Sequence, residues 1–299
     1  MQHPTAPRTE LVTAPDGSEI HVHVWPATAA ERGVVHFLHG VGEHALRYVH
    51  LAQALTSHGF ALYADDHLGH GATGTASGTL GKLPERQNRA AVDAAEAVSR
   101  FVRDRHPGLP FVLAGHSWGS LLAQQLLLRA PHRYQGVVLT GTALALPGYL
   151  NGGDLNKRFV GDETGLQWMS RDDDYRASFA ADPLCFDIGA APAWNLLGAA
   201  QLLSLPPAAR RGRLDDVPVL IVVGSEDSLG FGGRGPRALA SVYRRRAKLS
   251  DVTLRVYPGA RHAVLDETNR DEIVAGILEW LEERFPVASG RLPRPVPRA

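Results

Sequence analysis

Apolar and polar positions along the chain form two patterns that follow each other repeatedly. Short runs such as Val219–Val223 are apolar at every position, which is typical of strands covered on both faces. Longer segments with a helical period separate these runs, and the alternation predicts a mostly parallel sheet flanked by helices, an α/β fold. The predicted strands are Glu19–Val24, Val34–Leu38, Phe60–Ala64, Phe111–Ala114, Gly136–Thr140, Val219–Val223 and Thr253–Tyr257. The predicted helices are Leu46–Ser57, Gln87–Arg105, Ser117–Arg129, Pro236–Lys248 and Asp271–Glu283.

The alternation stops between residues 143 and 213, where helical fragments mix with glycine, proline and aromatic residues. A structureless loop of this length is uncommon in a compact domain, so we expect an inserted, mainly helical cap, or lid, over residues 143–213. The core domain then consists of residues 10–142 and 214–286. Residues 1–9 and the Pro/Arg-rich residues 287–299 are expected to be flexible tails.

Composition and charge exclude several classes of protein. The 299 residues include 31 Lys plus Arg and 31 Asp plus Glu, so the formal net charge is 31 − 31 = 0, whereas nucleic-acid binding needs a basic excess or a basic face. The single Cys cannot form an internal disulfide. No signal peptide and no apolar stretch of about 18 residues is visible. We expect a soluble, cytoplasmic protein with no nucleic-acid partner and no integral membrane segment, while transient contact with lipid surfaces and the oligomeric state stay open.

The segment after the predicted strand at Phe111 contains the strongest chemical signal. It has the sequence Gly115-His-Ser117-Trp-Gly119 and leads directly into an apolar-periodic helix. A nucleophilic serine at such a strand-to-helix turn needs glycine two residues to either side, because the backbones approach closely there. The new helix also directs its first N–H groups towards the place where an oxyanion would develop. Ser117 is therefore the predicted nucleophile.

A serine at this turn works with an acid and then a histidine further along the chain. Two histidines follow Ser117: His132 comes after the end of a predicted helix, whereas His262 comes just after the last predicted strand. A general base belongs at that second position, so His262 is predicted. The acid should follow the strand Val219–Val223, and Asp227 is preferred there, with Glu226 as the competitor.

Two backbone amides are expected to form the oxyanion hole. One belongs to Trp118, the residue after the nucleophile, and the other to a loop after an early strand. The segment His39-Gly-Val41-Gly follows the strand Val34–Leu38 and fits that loop. Val41 and Trp118 are therefore the predicted oxyanion donors.

Two other motifs suggest a cofactor or a metal, and neither is favoured. Gly69-His-Gly-Ala-Thr-Gly74 matches a dinucleotide-binding pattern, but the residues that follow are poor helix formers, whereas the pyrophosphate needs a helix N-terminus. The 14 histidines include several close groups, yet none has the spacing of a zinc-hydrolase motif. We expect no cofactor and no metal. The groups considered are His21 with His23, His39 with Glu43 and His44, and Asp65, Asp66 and His67 with His70.

Together these segments resemble the α/β-hydrolase superfamily, in particular its monoacylglycerol lipase and lysophospholipase branch. The resemblance implies a serine hydrolase with Ser117, Asp227 and His262 as its triad, and a lid over residues 143–213. It also implies that Glu43, Arg47, Asp66 and His67 brace loops. The segments that carry it are His39–His44 with Arg47-Tyr48, Asp66–Gly71, Gly115–Gly119, Asp182–Leu184, Gly224–Asp227 and Tyr257–His262.

We therefore expect hydrolysis of a small-molecule carboxylic ester with an acyl or lipid-like chain, through an acyl-enzyme. The apolar lid suggests an acyl-binding groove. Two alternatives stay open: an aminopeptidase or amidase that binds its substrate amine at Asp172–Asp174, and a non-enzymatic ligand-binding protein. The candidate groove residues are Leu150, Phe159, Trp168, Trp194, Leu197 and Leu203.

Overall fold

A single eight-stranded sheet forms the centre of the protein. The computed structural model describes residues 6–159, 164–188, 193–208 and 214–287. The order of the strands across the sheet is β1-β2-β4-β3-β5-β6-β7-β8. Their bounds are β1 Arg8–Thr13, β2 Glu19–Trp25, β3 Gly33–Leu38, β4 Phe60–Asp65, β5 Phe111–His116, β6 Gly136–Thr140, β7 Val219–Gly224 and β8 Val252–Tyr257.

The predicted mostly parallel sheet is confirmed. Strands β4, β3, β5, β6, β7 and β8 are parallel neighbours, and β1 and β2 form an antiparallel extension that joins β4. The sequence analysis missed β1. This edge strand buries only Val12 and so lacks a clear apolar pattern. It begins at Arg8, so the last two residues of the predicted tail 1–9 lie in the sheet.

Eight α-helices are described, and the five predicted ones lie within three residues of their expected starts. The helix predicted over Pro236–Lys248 begins at Arg234, and its second half is a π-helix, Val242–Ala247. A six-residue helix, α2, was not expected in the glycine-rich segment. The bounds are α1 Val49–Ser57, α2 Gly71–Ala76, α3 Asn88–Arg105, α4 Trp118–Arg129, α5 Asp173–Ala181, α6 Leu196–Gln201, α7 Arg234–Ser241 and α8 Arg270–Arg284. Single 3-10 turns cover Ala45–Tyr48, Pro131–Arg133 and Val264–Asp266.

Two apolar layers cover the two faces of the sheet. Helices α3, α4 and α7 pack on one face, and α1 and α8 pack on the other. Strand β5 shows why its first four residues are all apolar: Phe111 and Leu113 point into the first layer, while Val112 and Ala114 point into the second. Alternate side chains of one strand thus enter opposite layers, and polar residues have no face to occupy.

The chain between β6 and β7 leaves the sheet and contains α5 and α6. A small third apolar cluster, built on Leu166, Met169, Tyr175 and Phe179, packs there against Ala263 of the segment after β8. Residues 160–163, 189–192 and 209–213 of the predicted cap lie outside the described residues, as do residues 1–5 and 288–299 of the predicted tails. Within the described ranges, no helix is both long and apolar enough to cross a membrane.

Candidate active site

Ser117 lies at a sharp turn between β5 and α4. Its backbone has φ 52° and ψ −121°, a conformation that a non-glycine residue adopts only when its surroundings hold it. The Ser117 amide donates to the carbonyl of Thr140, which ties the turn to the neighbouring strand β6 (3.0 Å). A Cβ atom at Gly119 would overlap the carbonyl oxygens of Leu38 and His39, so only glycine fits beside the turn.

Three side chains from separate loops form a hydrogen-bonded chain at this turn. The Oγ of Ser117 lies 2.7 Å from Nε2 of His262, and Nδ1 of His262 lies 3.0 and 3.1 Å from the two carboxylate oxygens of Asp227. Asp227 and His262 are 0% and 1% exposed. The amide of Leu229 donates to Oδ1 of Asp227 (2.8 Å) and orients its carboxylate. This arrangement can pass a proton from a serine hydroxyl to an imidazole whose other nitrogen faces a carboxylate.

The competing residues lie elsewhere. Glu226 points away from His262 and forms an ion pair with Arg158 at the surface, where about half of its side chain is exposed. His132 is exposed in the 3-10 turn Pro131–Arg133. Of the two acids and two histidines considered from the sequence, the structure brings Asp227 and His262 to Ser117.

Val41 and Trp118 lie beside Ser117, and both line the same cavity. Trp118 is the first residue of α4, where backbone N–H groups have no acceptor within the helix. The loop of Val41 is braced from behind, because Oε1 of Glu43 accepts from the Gly40 amide (2.7 Å) and from the Tyr48 hydroxyl (2.6 Å). Burial raises the pKa of Glu43.

A cavity of about 270 Å³ opens above Ser117 between the sheet domain and the β6–β7 segment. Its walls are mainly apolar. They include three of the predicted groove residues, Leu150, Trp168 and Trp194. Further apolar side chains on its wall come from α4, from α5 and from the connecting segments: Leu121, Leu155, Leu166, Met169, Phe179, Phe186, Ile188, Leu202 and Leu229.

The prediction was wrong for two groove residues. Leu197 lies on the outer side of α6, and 64% of its surface is exposed. Phe159 packs between the guanidinium groups of Arg158 and Arg261, at 4.9 and 4.4 Å from the ring centre. Neither residue belongs to the cavity wall. Leu203, also considered, is 43% exposed and is absent from that wall too.

The family model described as serine aminopeptidase, S33 matches residues 29–269. The chain belongs to this family. Among curated relatives, the monoacylglycerol lipase of Mycolicibacterium smegmatis is 31% identical over 278 residues, which cover 89% of this chain and 93% of that protein. The monoglyceride lipase of Homo sapiens is 27% identical over 296 residues, with 95% and 93% covered.

Solved structures show the same fold. A thermostable carboxyl esterase from Bacillus coagulans superposes with a TM-score of 0.80 at 24% identity, covering 94% of this chain and 99% of that chain. The prediction of an α/β-hydrolase similar to monoacylglycerol lipases is confirmed, and so is the enzyme class, a serine carboxylic-ester hydrolase.

The buried histidines near the site in this family member brace loops through hydrogen bonds. Nδ1 of His39 donates to the Gly40 carbonyl (2.7 Å), and its Nε2 accepts from the His67 amide (3.1 Å), so both ring nitrogens are used by the backbone. Nδ1 of His67 bonds to Asp65 (2.8 Å). Burial lowers the pKa of His39 well below its usual value and lowers that of His70 to about 3. Both rings are neutral at physiological pH.

The carboxylate of Asp66 occupies the space beside the glycine-rich segment Gly69–Gly74. Asp66 accepts from the amides of Ala45 (2.8 Å) and Ala72 (2.7 Å) and lies 3.2 Å from Nε2 of His23. Ala72 belongs to the first turn of α2, so a carboxylate already occupies the position that a pyrophosphate would need. This contact explains the close approach of Gly71 to Asp66.

One group of side chains in the described part of the chain has the spacing of metal ligands. His44, Asp182 and Cys185 place one potential ligand atom each within 4.8 Å of one another. Asp182 is also 3.4 Å from the Arg47 guanidinium, and burial raises the pKa of the Cys185 thiol to about 12. A neutral thiol beside a fixed cation is a poor site for a dication.

Two contacts of the site residues had no signal in the sequence. The Trp168 ring lies over the imidazole of His262, with 4.8 Å between ring centres, and the Trp168 carbonyl accepts from the His262 amide (3.3 Å). The indole N–H of Trp118 donates to Oδ1 of Asn88 (2.7 Å). Both contacts join residues that are distant along the chain, so no spacing could reveal them.

Proposed function

We propose that the protein hydrolyses the ester bond of monoacylglycerols and similar esters with one acyl chain. The observation that carries the proposal is the hydrogen-bonded chain Ser117–His262–Asp227 opening into an apolar cavity. Two relatives that the chain matches over 93% of their length are named as monoacylglycerol and monoglyceride lipases, which supports the same substrate class.

In the proposed acylation step, Ser117 Oγ attacks the ester carbonyl carbon while its proton moves to Nε2 of His262. Asp227 accepts from Nδ1–H, fixes the tautomer and stabilises the imidazolium that forms. The amides of Val41 and Trp118 donate to the oxyanion of the tetrahedral intermediate. When this intermediate collapses, the C–O bond to the alcohol breaks, and the alcohol takes the proton from Nε2.

In the proposed deacylation step, water replaces the alcohol. His262 accepts a proton from the water as its oxygen attacks the acyl carbon, and the same amides hold the second oxyanion. Collapse breaks the bond to Ser117 Oγ, which regains a proton from Nε2. The fatty acid leaves, and the enzyme returns to its starting state without a cofactor.

The acyl chain is assigned to the apolar cavity, with Leu150, Trp168 and Trp194 among its contacts. Burying a chain there removes apolar surface from water, which favours binding by about 0.8 kcal/mol per CH₂ group. We assign residues 143–213 as the cap, because the described part of this segment supplies most of the wall opposite Ser117.

An amine-binding role for the acidic cluster is not favoured. Asp172 accepts from the Tyr175 amide (3.0 Å) and starts α5, and Asp173 pairs with Arg176. Both carboxylates thus bond to residues of α5. None of the three acids of the cluster belongs to the cavity wall. Ester hydrolysis is therefore proposed over cleavage of aminoacyl amides.

The test compares Ser117→Ala with Ser57→Ala, which changes an exposed serine on α1. Ser117→Ala should lower kcat on 1-monododecanoylglycerol by about 10⁴- to 10⁶-fold, while the Ser57 variant matches the wild type. A fluorophosphonate should label Ser117 alone, which peptide mass spectrometry reads out. Activity of Ser117→Ala within tenfold of the wild type rejects the nucleophile. Faster turnover of aminoacyl amides than of the glycerol ester rejects the substrate class.

A further inference from the structure

Asn88 is a fully buried polar residue outside the proposed triad and oxyanion hole. It is the first residue of α3, and both ends of its side-chain amide are used. Its Oδ1 accepts from the indole N–H of Trp118 (2.7 Å), and its Nδ2 donates to the Gly198 carbonyl in α6 (2.8 Å). An amide side chain accepts through its oxygen and donates through its nitrogen, which fits this position.

The Trp118 end of this link lies against the proposed oxyanion hole. The indole has a single donor, and its bond to Asn88 selects one orientation of the ring. That ring is 2% exposed and packs between His70 and Trp194, with centres 5.1 and 5.5 Å away. The Trp118 backbone amide is proposed to donate to the oxyanion. If the indole rotated, residue 118 would shift and its amide would move away from the oxyanion.

The Gly198 end of the link lies on α6, whose residues form part of the cavity wall. Other contacts hold α6 at the same place: Oε1 of Gln87 accepts from the Asn195 amide (3.0 Å), and Oε1 of Gln201 accepts from the Arg89 amide (3.0 Å). Gln87 has φ 50° and ψ −125°, a strained conformation that its contacts must hold. These hydrogen bonds fix α6 against the start of α3.

We propose that Asn88 is a positioning residue that holds Trp118 and helix α6 in one arrangement, so that the oxyanion donor and the acyl-binding wall are set together. The inference rests on the proposed function. An acyl chain in the cavity would touch both parts, because Trp118 and Ala199 of α6 line it together. The two hydrogen bonds have different consequences: loss of the bond to Trp118 lowers kcat, and loss of the bond to α6 raises KM for long chains.

The test uses three variants and two esters of different chain length, p-nitrophenyl acetate and p-nitrophenyl dodecanoate. Trp118→Phe removes the indole N–H and keeps an aromatic ring, and kcat should fall about tenfold on both esters. Gln201→Met removes only the α6 contact to Arg89, and KM for dodecanoate should rise several-fold with kcat unchanged. Asn88→Leu keeps the side-chain size, breaks both bonds and should show both effects.

The double variant Asn88→Leu/Trp118→Phe decides whether Asn88 acts through the indole. Its kcat should equal that of Trp118→Phe alone, because the same hydrogen bond is removed twice. Additive losses would show that Asn88 supports the fold generally and would overturn the inference. A wild-type kcat in Trp118→Phe would also overturn the inference. This variant keeps the test decisive if Asn88→Leu does not fold. Inactive Ser117→Ala alongside fully active Asn88 and Trp118 variants would reject this inference and leave the proposed function standing.

Discussion

At the scale of single residues, burial decides the chemistry of the histidines more than their number does. His39, His70 and His116 lie at 0–3% exposure, and burial lowers the pKa of each below the usual 6.5. Their ring nitrogens bond mainly to backbone carbonyls and to Thr140. These neutral rings shape the loops around Ser117, and they make the folded protein sensitive to acid.

The first prediction concerns this acid sensitivity at His70. Its pKa falls to about 3 in the folded state from 6.5, so the unfolded chain binds more protons below pH 6.5, and the free energy of unfolding decreases as the pH falls. His70→Asn keeps a donor for the Leu68 carbonyl and removes this linkage. Between pH 6 and pH 4.5 the wild type should lose about 2 kcal/mol more than the variant in urea unfolding. Parallel pH curves would contradict the prediction.

A second prediction at this scale concerns Gly119. A Cβ atom there would overlap the carbonyls that end β3, so α4 would have to move away from the Val41 loop. Gly119→Ala should therefore lower kcat by at least about 100-fold, since removal of one oxyanion donor costs that much. Gly276→Ala in α8, where the nearest atoms to a new Cβ are the ends of the Arg255 and Tyr257 side chains, controls for the loss of glycine. Initial rates on p-nitrophenyl butyrate measure both variants.

At the scale of elements, the segment before α5 is joined to the loop that carries His262. The amides of His262 and Ala263 donate to the carbonyls of Trp168 and Met169. Glu267, 1% exposed, accepts from the Arg261 amide (2.7 Å) and pairs with the Arg171 side chain (2.9 Å). The proposed base therefore takes its position from the β6–β7 segment as well as from β8.

A third prediction tests this junction through Glu267. Glu267→Ala would leave the Arg171 side chain and the part-buried amides of Arg171, Arg261 and Thr268 without their acceptor, so the free energy of unfolding should fall by about 3 kcal/mol. The matched control is Glu279→Ala, which removes an exposed ion pair with Arg255 and should change stability by less than about 0.5 kcal/mol. Equal effects of the two substitutions in urea denaturation would show that the junction contributes little.

At the scale of the whole molecule, the cavity lies where the sheet domain meets the β6–β7 segment. Its floor comes from the carboxyl ends of the strands, where ligands bind in open α/β sheets. Its upper wall comes from described residues between Leu150 and Leu202. The size of this space, rather than the chemistry at Ser117, should therefore set the length of acyl chain that the enzyme accepts.

The fourth prediction tests this control of chain length. Leu150→Trp should narrow the cavity and lower the ratio of kcat/KM for dodecanoate over butyrate by about 10-fold or more. Catalysis of the short ester should stay near that of the wild type, because the Ser117 hydrogen bonds are untouched. Leu11→Trp, on the exposed edge strand β1, controls for adding an indole. An unchanged ratio in Leu150→Trp would place the acyl chain elsewhere.

Local sterics and the local apolar pattern are present in the sequence itself. They were enough to locate most strands of the sheet and to predict the candidate site residues. Strands buried on both faces are mostly apolar, so β3 to β7 could be located within about two residues. The turn at Ser117 needs glycines at two specified positions, which made it recognisable. The order of serine, acid and histidine then selected Asp227 and His262, with Glu226 left as a competitor.

Contacts between distant segments were decided only by the tertiary structure. Phe159 and Leu197 have the same apolar character as Trp194, yet one packs between arginines, one faces water and one lines the cavity. The direction of a side chain depends on how its segment packs against the rest of the protein. The local sequence does not determine that packing. For the same reason Asn88, an ordinary residue at the start of a helix, showed its link between Trp118 and α6 only after the chain was folded.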